Sequence, residues 1–350
     1  MFGRSSKSIK IEIFGKTDLG RTREHNEDRF LVADLTRKAA SLQPEVRKHD
    51  IGPRGTLLVV ADGMGGAAAG ELASEMATDT IYDHLVKTLA EEGEITPQRF
   101  AYRLKESVEV ANSSIHAHAK AHPEVRGMGT TTTAAGVLND HLYLTQVGDS
   151  RAYLIRGGQA FQITKDQSLM QRLVEAGELT EEEAAQSERR NIILQALGPD
   201  PKVKVDLTHQ EVRRGDVLVL CSDGLSGQVK KDEIAKVVSE ASDLSAACDK
   251  LIALANERGG PDNITVVIAR FDGDGLRFSG SSSTEEDGVG HQVFPLIDTE
   301  TSTEPVPVYK GSRPPKPAKE VRKQTYTRAI VLGLIAVAAA LAWYLLSRNP

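Results

Sequence analysis

The sequence predicts an α+β domain with an antiparallel sheet core, and three observations predict it. Short apolar or alternating runs recur along the chain: Ile9–Phe14, Leu57–Ala61, Leu142–Val147, Val217–Ser222 and Ile264–Ile268 all have strand length and patterning. Only three stretches, beginning near Ala68, Pro97 and Lys231, carry long helical periodicity. Strands and helices do not alternate as βαβ units, which argues against a parallel sheet. At 350 residues the chain holds one large core plus extensions.

Taken in order, residues 1–8 are polar and basic without an apolar stretch, so no signal peptide is expected. Ile9–Phe14 alternates with Lys10 and Glu12 as a strand does. Residues 36–55, with Pro44, Gly52, Pro53 and Gly55, read as a loop. The buried strand Leu57–Ala61 is expected to stop at Asp62, where Gly63, Gly65 and Gly66 allow a sharp turn. Leu72, Met76, Leu85 and Leu89 then mark a helix from about Ala68, and Phe100, Leu104, Val108, Ala111 and Ile115 mark the next over 97–120. His116, His118 and His122 at its end read as solvated.

Thr130–Thr133 favours strand through β-branching, and Asn139-Asp140 is a hairpin signal before Leu142–Val147. Arg156-Gly157-Gly158 is a second tight turn, and 165–190 reads as a mobile, partly helical insertion beside the site. A single helix is expected over 231–256, from Ile234, Val238, Leu244, Leu251 and Ile252. The folded domain is expected over 8–272. From Gly273 to Arg328 the chain is rich in Ser, Thr, Pro and Gly, acidic first and basic later, and is expected to be a disordered linker spanning roughly 40 Å. Ala329–Leu346 is uninterruptedly apolar and, as a helix of roughly 27 Å, matches a bilayer's hydrocarbon core. Trp343 and Tyr344 suit the interface, and the basic residues preceding the span place the large domain on the cytoplasmic side, with 347–350 as a short tail.

The chemistry gathers at the strand ends. Asp62, Asp149 and Asp223 follow apolar runs, whereas Asp28 and Asp262 precede them. Five acidic positions at strand edges, with no Cys or His motif among them, describe an all-oxygen site for hard divalent cations. A net charge of −6 and the lack of a basic or aromatic surface pattern argue against nucleic acid. Two cysteines make no disulfide framework, and Gly227 stands where a cysteine phosphatase loop starting at Cys221 needs Arg, so both read as core.

Six motifs arrive in order: Arg23-x-x-Asn26-Glu27-Asp28, Ala61-Asp62-Gly63-Met64-Gly65-Gly66, Gly129-Thr130-Thr131, Gly148-Asp149-Ser150-Arg151-Ala152-Tyr153, Cys221-Ser222-Asp223-Gly224 and Asp262-Asn263-Ile264-Thr265. Over about residues 10–271 they resemble the type 2C (PPM) metal-dependent protein serine/threonine phosphatases in their bacterial form. The resemblance implies paired antiparallel β-sheets flanked by helices, a four-layer α-β-β-α sandwich. It implies two Mn²⁺ or Mg²⁺ ions bridged by Asp62, with the Gly63 carbonyl assisting and Asp223 and Asp262 completing the second ion's ligands. It further implies that Glu27 and Asp28 act at or through the metals' water, that Asp149 serves a third, weaker ion and that Arg23 binds phosphate. Phosphoserine and phosphothreonine proteins are the implied substrates, and a serine/threonine kinase the implied counterpart. Met64 departs from members with His there, because a thioether donates no proton. Two other readings are weaker: a membrane-tethered phosphoprotein-binding module with little catalysis, and a metal-dependent nuclease or nucleotide hydrolase.

Overall fold

Alternation along one strand explains the layers. In Thr56–Met64, Leu57, Val59 and Ala61 face one apolar cluster while Leu58 and Val60 face another, and all five are buried. A strand apolar on both faces must lie inside a sandwich of sheets covered by helices. The computed structural model describes residues 8–278 and 288–296.

Its elements run β1 (Lys10–Asp18), β2 (Asp28–Asp34), β3 (Ala39–Ala40), α1 (Pro44–Arg47), β4 (Lys48–Asp50), β5 (Thr56–Met64), α2 (Ala67–Glu91) and α3 (Pro97–Ala121). There follow β6 (Gly129–Thr130), β7 (Thr132–Leu138), β8 (His141–Val147), β9 (Arg151–Arg156), β10 (Gln159–Gln162), α4 (Leu169–Glu175) and α5 (Glu181–Gln186). The last are β11 (Asp206–Glu211), β12 (Val217–Cys221), α6 (Asp223–Ser226), α7 (Lys231–Glu240), α8 (Leu244–Glu257) and β13 (Ile264–Asp272).

One sheet has the order β10-β9-β12-β13-β1-β4, the other β11-β8-β7-β5-β2-β3 with β6 paired to β5. Every ladder is antiparallel. The sheets face each other through Ile11, Ile13, Leu58, Val60, Leu218 and Phe271. Helices α2 and α3 cover the second sheet with Ile81, Leu85, Phe100 and Leu104, and α7 and α8 cover the first with Ile234, Val238, Leu251 and Ile252. This is the α+β sandwich expected from the sequence.

The hairpin at Asn139 is present, with φ 53° there, as is the Gly157-Gly158 turn with φ 59° and 80°. Four local expectations are corrected. Strand β5 does not end at Asp62 but continues to Met64, because Asp62 pairs with Asp28 and Gly63 with Thr130. The 36–55 loop contains β3, α1 and β4, and β4 adds an edge to β1. The 231–256 helix is two helices, since the Asp243 carboxylate accepts from Ala246 N at 2.8 Å and starts α8 anew. Residues 288–296, expected in the linker, instead lie along β11: His209 N donates to Gln292 O and Phe294 N to Leu207 O, both at 2.9 Å. Phe294 stacks edge-on against Tyr143 and His209. The apolar stretch 329–346 lies outside the described residues, and no helix among those described is long and apolar enough to cross a membrane.

Candidate active site

The site forms where β2 and β5 run side by side and the turns before α6 and β13 approach them. Asp28 and Asp62 are direct cross-strand partners. Asp62 is held through its backbone: its N–H donates to Thr131 Oγ1 at 3.2 Å, and its carbonyl accepts from Thr131 N at 2.8 Å and Thr130 Oγ1 at 2.9 Å. Thr131 Oγ1 also lies 2.8 Å from Ser150 Oγ, which ties this strand to the turn carrying Asp149. The threonine run, expected only to favour strand, thus wires two acidic positions together.

Asp28 is buried, and its Oδ2 accepts from Ser222 Oγ at 2.7 Å. Ser222 Oγ in turn accepts from Thr265 N at 3.0 Å, so one hydroxyl joins β2, the residue before Asp223 and β13. Asn263 does similar work: its Oδ1 accepts from Glu27 N at 2.9 Å, and its Nδ2 donates to the Leu19 and His25 carbonyls. Glycine is required where α2 meets the site. A Cβ on Gly63 would strike the Gly70 carbonyl, and one on Gly70 would strike the Glu27 carboxylate. Gly66, at φ 91°, turns the chain into α2. Asp149 follows Gly148, whose N–H donates to Gln167 Oε1 at 3.0 Å and whose carbonyl accepts from Gln167 N at 2.8 Å. The 165–190 stretch is therefore clasped at its base to the Asp149 turn. Its next anchor is Arg151, which donates to Asp166 at 2.7 Å.

The carboxylates act on one another. Burial first, then Ser222 and Thr265 in opposition, then Asp223 and Asp262, push Asp28 up to about 7. Burial and the charges of Asp28, Asp223, Asp149 and Asp262 push Asp62 well above the carboxylate range. Burial, then Asp223 and Asp166, push Asp149 up to about 7 against Arg151. Asp223 is raised by burial and Asp262, offset by a hydrogen bond from Asp62. Burial raises Glu27, with Arg23 opposing. Arg23 donates to Asp262 Oδ2 at 2.7 Å, with about half of its side chain exposed.

All seven side chains named from the sequence, Arg23, Glu27, Asp28, Asp62, Asp149, Asp223 and Asp262, thus share one region, with Gly63 in the strand beside them. They do not form a finished cage: among the described residues no three acidic, His or Cys side chains are drawn around a single point. Their chemistry still fits a hard cation. Asp28 Oδ1, Asp149 Oδ1 and Asp223 Oδ1 are buried without a hydrogen-bond partner, an arrangement that positive charge and oxygen ligation would satisfy.

Ser222, Asn263, Thr131 and Gln167 escaped sequence reasoning as site residues. The first three sit inside the quoted motifs, which was the available signal; Gln167 carried none. Cys221 is buried with its thiol pushed up to about 12 by burial, as a core residue should be. His116 is half-buried rather than fully solvated, and its Nδ1 lies 2.8 Å from the Gly198 carbonyl.

Residues 42–260 match the family model described as protein phosphatase 2C. The serine/threonine phosphatase stp of Listeria monocytogenes is 36% identical over 257 residues, 73% of this chain and 94% of that protein. The S. agalactiae serine/threonine phosphatase structure superposes with TM-score 0.65 at 34% identity, covering 74% of this chain and 99% of that one. The catalytic domain of the serine/threonine protein phosphatase PstP, solved with 2 manganese ions, gives TM-score 0.60 at 34% identity over 75% of this chain and 99% of that one. The chain belongs to the protein phosphatase 2C family.

Proposed function

We propose that this chain, a metal-dependent serine/threonine protein phosphatase, is tethered by its apolar 329–346 segment to the cytoplasmic face of a membrane, where it reverses the work of a serine/threonine kinase. One observation carries the catalytic part. Four clustered aspartates, Asp28 and Asp149 buried and Asp62 and Asp223 half-buried, have their affinity for protons raised by burial and by neighbouring carboxylates, and three of them keep a buried oxygen without a partner. Such a cluster resists ionisation alone and welcomes a divalent cation.

Asp62 and the Gly63 carbonyl would hold Mn²⁺ or Mg²⁺ from β5, Asp223 and Asp262 from the opposite sheet, and Asp149 a third, weaker ion. When bound, the ions supply Lewis-acid charge and make a water nucleophilic near neutral pH. Glu27 and Asp28 would orient that water and accept its proton. Arg23 offers a planar, permanently charged fork to the phosphate dianion, and its exposure leaves it free to exchange Asp262 for phosphoryl oxygens. Met64 supplies no proton, so leaving-group protonation falls to water. The division into a phosphatase domain, a linker and a terminal anchor belongs to the same proposal and rests on the composition of 298–350.

The test is phosphate release from a phosphothreonine peptide with Mn²⁺, with Mg²⁺ and with chelator. Metal-dependent release that Asp223→Asn abolishes is the expected result. No release with any metal would favour a tethered phosphoprotein-binding module instead. Co-sedimentation with liposomes, with and without residues 329–350, tests the anchor separately, and binding that survives the deletion overturns it.

A further inference from the structure

The catalytic region opens sideways along β2. Two cavities of about 360 and 510 Å³ share Arg29 and Phe30 as walls. The inner one reaches Asp28, whose Oδ1 is buried without a partner, and Glu71. The outer one runs between β2 and α2, with Leu31, Leu42 and Tyr82 as its apolar wall and Asp79 and Asp83 as its acidic one.

The backbone in this groove is a sheet edge. Strand β3 pairs with β2 only at Ala33 and Asp34, and Ser41 N donates to Val32 O just before them. Residues two apart on a strand turn their backbone groups to the same side, so the Phe30 N–H and C=O share the side of the Val32 carbonyl. On that side, among the described residues, no strand pairs with β2 over Asp28–Leu31. Unpaired edge groups facing a groove are a template for an added strand.

The groove also has a charge. Glu71, Glu75, Asp79 and Asp83 recur every four residues and so lie along one face of α2. Arg29 forms its ion pair with Glu75, across 2.9 Å. Asp79 is pushed up by burial and by Glu75 and Asp83, with Arg29 opposing, which fits an acidic stripe short of cations.

We propose that the phosphoprotein substrate docks as an extended strand on the open edge of β2, pairing with Phe30, and that the groove selects an apolar and a basic residue flanking the phosphorylated one. This rests on the phosphatase reading and adds the substrate's chemistry to it. At about 3.3 Å per residue, Phe30 to Val32 serves substrate positions about two to five residues from the phosphate. A basic side chain meets Asp79 and Asp83; an acidic one meets the same two like charges and is rejected.

The test compares phosphothreonine peptides of one length, flanked by Arg and Leu, by Ala, or by Glu, with 4-nitrophenyl phosphate as a substrate too small to reach the groove. The full chain should favour the Arg/Leu peptide over the Glu peptide by about tenfold or more in kcat/KM. In the double variant Asp79→Asn/Asp83→Asn that ratio should fall to within about threefold, with 4-nitrophenyl phosphate hydrolysis unchanged. N-methylating the peptide amides two to five residues from the phosphate should weaken the Arg/Leu peptide in turn. Equal rates for all peptides, or a ratio untouched by the double variant, overturn the docking. Higher Arg/Leu-peptide turnover after removal of residues 298–350, without change on 4-nitrophenyl phosphate, also overturns it, by giving the groove to the chain's own basic stretch. Peptide binding by fluorescence anisotropy in chelator reads the same preference without turnover. Inactivity on 4-nitrophenyl phosphate with every metal therefore counts against the phosphatase reading alone.

Discussion

Arg23 and Asp262 are joined by a single charged hydrogen bond, from the guanidinium to Oδ2 at 2.7 Å, across 239 residues of sequence. One partner is the residue expected to bind phosphate and the other is an expected metal ligand. The bond brings the loop before β2 to the turn before β13. It also pre-orients Arg23 beside the carboxylates, so that phosphate can replace one anionic partner with another.

Arg23→Lys should lower kcat/KM for a phosphopeptide by about tenfold, or about 1.4 kcal/mol. Lys keeps the charge but loses the fork that grips two oxygens. Arg23→Ala should lose more, mainly through KM. Steady-state kinetics on peptide and aryl phosphate check both, and an unchanged Lys variant would mean the fork is not used.

Asp62→Asn should abolish activity yet stabilise the chelated protein. The substitution removes the cost of protonating a carboxylate whose ionised form burial, Asp28, Asp223 and Asp149 all oppose. The melting temperature in chelator should rise by a few degrees, and the rise that Mn²⁺ gives the unmodified chain should vanish. A variant that turns over normally would sink the metal assignment.

The chelated protein should lose stability as pH rises. Asp28 and Asp149 titrate near 3.8 when unfolded and at about 7 when folded, so between those values the folded state binds more protons. Stability therefore falls with pH across that window and levels off above about 7. Added Mn²⁺ should reverse the trend, most strongly above pH 7. Urea titrations at several pH values, with and without Mn²⁺, check the slope.

Ser222→Ala should move the acid limb of the activity profile to higher pH. The hydroxyl donates to Asp28 and lowers its proton affinity, while accepting from Thr265 N. Its loss also leaves a buried N–H unsatisfied, costing about 1–3 kcal/mol of stability. A pH–rate profile with saturating Mn²⁺ separates the electrostatic effect from the structural one.

Met64→His should leave turnover within about tenfold. The Met64 methyl group lies where a Cβ on Gly129 would touch it at 2.8 Å, so the pocket is snug but lined by a flexible side chain. A larger loss would assign the position a steric role rather than none.

The site was legible in the sequence because its pieces are local. An apolar run ending in Asp-Gly, or Asp-Asn opening one, announces a carboxylate at a strand end whatever the rest of the chain does. The α+β class with its antiparallel sheet core was legible for the same reason, since period-two alternation and helical periodicity are carried by neighbouring residues, while the pairing of two sheets came from the family resemblance. Errors came where distant contacts overrule local signals. The glycines after Asp62 read as a turn, yet Gly63 stays in β5 because Thr130 pairs with it and Gly70 needs its missing side chain. Residues 288–296 have a linker's composition, yet Phe294 finds Tyr143 and His209 at a sheet edge.

By itself, then, the sequence determined the main strands, the long helices α2 and α3, the acidic positions and the oxygen-only chemistry, because each depends on residue type and short spacing. Tertiary structure alone decided that Ser222 and Asn263 brace the carboxylates, that Gln167 clasps the Asp149 turn and that, among the described residues, no strand pairs with the outer edge of β2 over Asp28–Leu31. The braces and the clasp are contacts between segments apart in the chain, and no local pattern encodes which distant groups will fall within 3 Å of one another.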